Sequence, residues 1–213
     1  MSRHKVLNTP AIRRMPTYYH KLLSMQAQGE TFASTSTLAA YMSTDPIVVR
    51  KDFELTGVTG SRGVGYRIDD LICAIRTYLG WDRSMRACLI GAGSLGTALL
   101  GFHEFTDEYG LNICDVFDVA PAQIGQTVYG RTIRNMDQLE QVLQERKPAI
   151  EMAILCIPAD SAQQTAERIV AAGIHLIWNF SNTCLQLSQH VIVQREVIAG
   201  GFALLSRKRL EHA

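Results

Sequence analysis

Gly91-Ala92-Gly93-Ser94-Leu95-Gly96 has the spacing G-x-G-x-x-G. The first glycine permits a tight turn, the second lets backbone approach a pyrophosphate, and the third lets a helix pack closely on a strand. Backbone N–H groups and the positive helix end would then face phosphates. Glycines are common, so the context decides. An apolar run, "ACLIG", precedes the turn, and a helix-like run, "SLGTALLGFHEF", follows it. A second strand-like run, "LNICDVFD", ends in Asp118, 22 residues beyond Gly96. A carboxylate there can bind ribose hydroxyls and repel the 2′-phosphate of NADP. The expected cofactor is NAD(H); the alternative is a related domain for another adenine nucleotide.

Using that cofactor in a reaction needs a proton donor or acceptor and a substrate pocket. The chain contains no Tyr-x-x-x-Lys. Its six histidines are His4, His20, His103, His175, His190 and His212, and none has a recognisable catalytic setting. His103 reads as an ordinary residue of the helix after the glycine turn. The cofactor is therefore expected to be read rather than consumed, and the protein not to be an enzyme. A small NAD-dependent oxidoreductase with an accessory N-terminal domain is the competing class. The five cysteines (Cys73, Cys88, Cys114, Cys156, Cys184) have no C-x-x-C spacing, so they read as reduced core thiols. No metal site is expected.

The elements that must position this turn follow from periodicity. From Arg86 on, apolar strand runs alternate with amphipathic helices. "IEMAILCIP", "IHLIWNF" and a short "HVIVQ" read as strands; "NMDQLEQVLQER" and "DSAQQTAERIVAAG" read as helices. That alternation implies a parallel sheet with helices on both faces. The N-terminal third differs. "TPAIRRMPTYYHKLLSMQAQG" suits a helix starting near Pro10 or Pro16, with Ile12, Met15, Tyr19, Leu22 and Leu23 close to one face. "STSTLAAYMS" opens with capping residues. "TDPIVVRKDFELTG" offers Thr44 or Asp45 as cap, Pro46 as first helical residue and Gly57 as stop. Three short helices fit a helix-turn-helix. "GVTGSRGVGYR" reads as a glycine-rich basic hairpin, a wing, and "IDDLICAIRTYLGW" as a linking helix.

The fold class is thus α/β. A winged helix-turn-helix domain with its linker helix spans 1–80, a Rossmann domain 81–194, and a C-terminal dimerisation helix 195–213. Net charge is +1, but residues 1–67 carry 9 Lys/Arg against 4 Asp/Glu, and the remainder 12 against 16. A basic N-terminal third suits an anionic partner such as nucleic acid. No apolar run approaches the roughly 18 residues of a membrane span. The protein is read as cytoplasmic, without a membrane partner.

A winged helix followed by a small Rossmann domain and a terminal helix resembles the bacterial redox-sensing repressors of the Rex family. "RRMPTYYHKL", "VVRKDFELTGVTGSRGVGY", "IGAGSLGTAL", "FDVAPAQIG" and "AILCIPADSAQQTAERIVAAGIHLIWNF" are similar to successive segments of that family, over nearly the whole chain. The resemblance implies a homodimer that binds a palindromic DNA operator when NAD+ dominates and releases it on NADH binding. It implies DNA contacts by Arg50, Lys51 and the wing's Arg62. Gly91, Ala92, Gly93, Ser94, Leu95 and Gly96 would line the pyrophosphate and Asp118 the adenosine ribose, beside Ile124 of the Ile-Gly pair. Ile157 and Pro158 would flank the nicotinamide, closed by Asn179 and Phe180. The terminal helix would swap across the dimer.

Several residues depart from the family pattern. Phe102 stands where a tyrosine is common, and Glu196 where the family has an aspartate. In the family these act with an arginine, here matched by Arg14, in a redox switch. Losing one hydroxyl costs roughly 0.5–1.5 kcal/mol, enough to blunt a tenfold discrimination of about 1.4 kcal/mol. Altered redox discrimination, or another nucleotide effector, is therefore the alternative within the family. Gly200-Gly201 is expected to interrupt the terminal helix. Gln123 and Ser61 replace frequent lysines, and Pro46 and Val48 stand near the start of the recognition helix, where polar residues are usual.

Overall fold

Asn8 caps the first helix, α1 (Thr9–Ala27), in the computed structural model, which describes residues 8–211. The Asn8 side chain accepts the Ala11 N–H, and Pro10 occupies the first turn, where a missing N–H costs nothing. Pro16 is inside the helix, so the helix does not start there. His4 and His212 lie outside the described residues. The chain divides into two compact units, one up to Arg83 and one from Ser84 on.

In the first unit α1 buries Ala11, Met15, Tyr18, Tyr19, Leu22 and Met25. The buried stripe is turned slightly from the expected one: Ile12 and Leu23 lie half-buried at its edge. A short strand β1 (Phe32–Ala33) leads into α2 (Thr35–Met42), capped by the Ser34 hydroxyl on the Thr37 N–H at 3.0 Å. Next comes α3 (Pro46–Glu54), with Asp45 as cap and Pro46 in its first turn. The wing turns over Ser61–Gly65, where Ser61 N–H donates to Gly65 O at 2.8 Å. It returns as β2 (Tyr66–Arg67), paired antiparallel with β1. Gly65 has φ +106, and a Cβ there would strike the Ala33 carbonyl. The helix α4 (Ile68–Leu79) closes the unit and stops at Gly80 in the left-handed conformation.

One buried acid organises this unit. Asp52 of α3 is 2% exposed. Arg14 of α1 grips it bidentately at 2.7 and 2.8 Å, and the Tyr18 hydroxyl donates to it at 2.9 Å. Burial, and then the bond to Asp52, push the Tyr18 phenol up to about 12, so it stays a donor. Tyr18 packs edge-on to Phe53 at 5.2 Å, and Phe53 to Tyr66 at 5.2 Å. Helices α1 and α3 and the root of the wing are thereby joined by one aromatic stack. Asp52 and Phe53 both serve the core of this unit.

The second unit is a seven-stranded sheet. In chain order it runs β3 (Met85–Ile90), α5 (Ser94–Leu100), α6 (Glu104–Asp107) and β4 (Leu111–Asp118). There follow β5 (Thr127–Val128), β6 (Arg131–Asn135), a 3-10 turn and α7 (Leu139–Glu145). The chain then continues through β7 (Met152–Leu155), α8 (Ala159–Ala171), β8 (Leu176–Asn179), β9 (Ile192–Arg195) and α9 (Ala199–Glu211). Strand order is β5-β6-β4-β3-β7-β8-β9, parallel except for the β5–β6 hairpin. Alternate residues fill two cores. Cys88, Ile90, Ala153 and Leu155 face one side, and Ala87, Leu89 and Ile154 the other. This is the period of two that the apolar runs require. Of the cysteines, Cys88 is buried but Cys73 and Cys184 are exposed, so the core-thiol reading fails for those two.

Two other expectations need correction, and one element had no expectation. "SLGTALLGFHEF" is not one helix: it breaks at Gly101, against which the Tyr129 ring packs, and His103 stands at the N-cap position of α6 without a side-chain capping bond. The β5–β6 hairpin was not read from the sequence. Gly200 and Gly201 do not interrupt the terminal helix but sit in its first turn. There the Gly200 N–H donates to Val197 O at 2.9 Å in the turn that opens the helix, and the loss from glycine is smaller than in a helix interior. None of α9 is buried, and Phe202, Leu204, Leu205 and Leu210 are 65–73% exposed.

Replacing Asp52 by alanine strands the Arg14 guanidinium and the Tyr18 hydroxyl in the first unit. The expected loss is about 3 kcal/mol of that unit's stability. Urea denaturation checks this, and an unchanged midpoint would contradict the role assigned to Asp52.

Candidate functional site

The chain runs from β3 to β4 on one side and returns to β7 on the other, so the order reverses at β3. In open parallel sheets the crevice at such a switch point, outside the carboxyl ends of the strands, is where ligands bind. The strand ends are level: Ile90 pairs with both Phe117 and Leu155. Gly91 N–H then donates to Phe117 O and Cys156 N–H to Ile90 O, both at 2.8 Å.

Each glycine of the turn has a distinct physical task. Gly91 has φ +97, and a Cβ on it would strike the Cys156 carbonyl. A Cβ on Gly96 would collide with the Gly91 carbonyl oxygen. Gly93 has an ordinary φ, and nothing of the protein lies within 4 Å of where its Cβ would be. Space in front of Gly93 is kept open at the N-terminal end of α5, as backbone contact with a pyrophosphate requires. Asp118 stands across the turn. One of its carboxylate oxygens accepts the Ala92 N–H at 2.6 Å and the other the Ala120 N–H at 2.8 Å. Each oxygen keeps a lone pair for a ribose hydroxyl, while the fixed charge opposes a 2′-phosphate.

Around this point lies a cavity of about 230 Å³. Gly91, Gly93, Asp118, Ile157 and Pro158 line it, together with Cys156, Met136, Ser161 and Thr165, which the sequence did not mark. Met136, Ser161 and Thr165 come from segments following other strands, and no local motif marks them. Burial raises the Cys156 thiol to about 12, so it is neutral at physiological pH. Ala92 and Gly96 are buried in the turn, Ser94 is exposed and Leu95 half-buried on α5. Ile124 is half-buried in the turn after β4 and does not line this cavity.

Asn179 and Phe180 are also outside the cavity lining. Asn179 is fully buried and spends its side chain on the turn after β8. It accepts the Ser181 N–H and hydroxyl and donates to Thr183 O. Phe180 tilts against Trp178 at 4.8 Å. The three residues matched to the redox switch each have local partners. Arg14 is held by Asp52, Phe102 packs edge-on to Phe105 at 4.9 Å, and Glu196 accepts from Trp178 Nε1 at 3.3 Å.

The first unit presents the basic residues. On α3 the residues Ile47, Arg50, Lys51 and Glu54 are exposed, while Val49, Asp52 and Phe53 are buried. That is one outward stripe at i, i+3, i+4 and i+7. Arg50 lies 4.0 Å from Glu54 and is free enough to reorient, with 60% of its side chain exposed. Arg50 and Arg62 line a single cleft of about 410 Å³ between the start of α2, the recognition helix and the wing. The cleft also carries Ser34 and Thr35. Two guanidinium groups and several hydroxyls around an open groove suit phosphate oxygens. Among the described residues no His, Cys, Asp or Glu cluster could hold a metal, and no helix is long and apolar enough to cross a membrane.

Gly93→Ala separates cradle from fold. The variant is expected to fold with a loss below about 1 kcal/mol yet bind NADH at least tenfold more weakly. Gly91→Ala, strained by its positive φ and a backbone collision, is expected to lose more than about 2 kcal/mol of stability. Calorimetric NADH titration and thermal melting of both variants check this.

Comparison with known proteins places these features together. A family model described as a CoA binding domain matches residues 82–183, and one described as a putative DNA-binding protein N-terminus matches residues 8–54. The redox-sensing transcriptional repressor Rex of Treponema denticola is 42% identical over 205 residues, 96% of each chain. Rex of Rhodopirellula baltica is 41% identical over 87% of this chain and 77% of its own. The crystal structure of RSP in complex with β-NAD+ and operator DNA matches with a TM-score of 0.87 at 29% identity, covering 98% of this chain and 94% of that one. RSP in complex with β-NADH matches with a TM-score of 0.86. With one open glycine turn and one outward basic stripe in a single chain, and relatives matched along almost all of it, the protein belongs to the Rex family of redox-sensing transcriptional repressors.

Proposed function

We propose that this chain is a repressor that binds duplex DNA through its first unit and reads the NADH/NAD+ ratio through its second. The observation that carries the reading is the pairing of an open cradle at Gly93 with the outward stripe of Arg50 and Lys51. Arg50, Lys51 and Arg62 contact the operator. Gly91, Ala92, Gly93, Ser94, Leu95 and Gly96 hold the pyrophosphate, and Asp118 the adenosine ribose. Ile157 and Pro158 flank the nicotinamide. Asn179 shapes the turn leading to Phe180 rather than touching the ligand, and Ile124 supports the adenosine end from behind. A relative solved with NAD+ and operator DNA supports both halves of the reading.

The protein acts as a homodimer. The apolar residues Phe202, Leu205 and Leu210 of α9 are uncovered within one chain and line a common groove with Arg209. An exposed apolar helix of this kind requires a partner surface, and a second copy supplies it. Two copies put two recognition helices on two half-sites. The nucleotide acts as ligand, not substrate. Asp118 is tied to two backbone N–H groups and Cys156 is held neutral, which supports a pocket that reads its nucleotide without reacting with it. The protein works in the cytoplasm, where NAD(H) and operator DNA are found together.

A second reading has a specific observation behind it. Phe102 offers no hydroxyl, and Glu196 is held by Trp178 within its own unit. A sensor built this way would separate NADH from NAD+ less sharply than its relatives.

Replacing Arg50 and Lys51 together by alanine is expected to reduce DNA affinity at least a hundredfold and leave NADH affinity unchanged. DNA binding that survives this pair would overturn the assignment of α3 as the reading helix.

A further inference from the structure

The outward stripe of the recognition helix begins with an aliphatic side chain. Ile47 is 52% exposed and lies one turn before Arg50 and Lys51 on the same face. No side chain of that first turn donates a hydrogen bond. Asp45 is engaged, its carboxylate accepting the Ile47 N–H at 2.6 Å. Pro46 and Val48 carry no donor or acceptor on their side chains, and Val49 is buried. Donation of hydrogen bonds from α3 side chains to base edges therefore begins only at Arg50.

Helix-turn-helix proteins bring the N-terminal residues of the second helix to the base edges of the major groove. In that groove an aliphatic group can select one feature, the 5-methyl of thymine; the remaining edge patterns are donors and acceptors. A β-branched side chain on a helix has essentially one χ1 rotamer, so Ile47 loses little freedom on docking. Resting on the DNA-binding reading above, we infer that Ile47 is a specificity-determining residue that selects a thymine in each half-site through its methyl group.

The test uses the full chain. Duplexes recovered from a random library by the protein are resynthesised with each thymine replaced in turn by uracil, which lacks only the methyl. Affinity is measured for the native protein and for Ile47→Ala, whose exposed position leaves the fold intact. One thymine per half-site is expected to respond. Loss of one methyl contact lowers affinity about fourfold, and of both about fifteenfold. Ile47→Ala is expected to bind the thymine and uracil duplexes equally. No uracil-sensitive position, or a loss that persists in Ile47→Ala, would overturn the inference while leaving DNA binding standing. Recovery of no DNA at all would overturn the DNA-binding reading and this inference with it.

Discussion

At the carboxyl end of the sheet three backbone segments meet with no side chain between them. Gly96 rests on the Gly91 carbonyl and Gly91 on the Cys156 carbonyl. A single methyl group at either place would push α5 away from β3 or β3 away from the segment after β7. The approach fixes where α5 starts and where its positive end points. It also brings the Ala92 N–H to the Asp118 carboxylate, so the acid and the turn hold one another. Gly93 alone is spared from packing, which leaves the end of the helix open to a phosphate-bearing ligand.

The first unit solves its problem with a buried charge instead of a missing side chain. Arg14 and Tyr18 converge on Asp52, and the Tyr18–Phe53–Tyr66 stack carries that anchorage to the wing. A buried carboxylate is costly unless its lone pairs are filled. Here three donors fill them, and the helix is locked with Asp52 inward. Ile47, Arg50 and Lys51 must then face outward. Rotation of α3 to any other face would bring the acid into solvent and the stripe into the core.

Much of this was legible in the residues. The glycine spacing and Asp118 announced the cradle because each residue there has one physical use. Asp45-Pro46 and the Ser34 cap placed the starts of two helices. What was not legible depended on the shapes of turns and on partners far along the chain. Asn179 reads as a polar residue at a strand end beside a ligand, but its bonds to Ser181 and Thr183 are set by a turn whose shape no spacing reveals. The hairpin at Tyr129-Gly130 puts a bulky residue at φ 46, against its intrinsic preference, with its ring over Gly101. The same packing splits the expected first nucleotide helix. The Gly200-Gly201 pair looked like an interruption only because the start of α9 could not be placed from sequence.

The central claim is that the nucleotide in the second unit and DNA on the first are thermodynamically coupled. Linkage makes the coupling reciprocal: if NADH weakens DNA binding, DNA weakens NADH binding by the same factor. The direct measurement is the affinity of the full chain for its selected duplex at saturating NAD+ and at saturating NADH. A ligand with equal affinity for two states shifts nothing. The account predicts at least tenfold weaker DNA binding with NADH. Equal affinities would contradict it and leave a DNA-binding protein whose nucleotide does not report redox state.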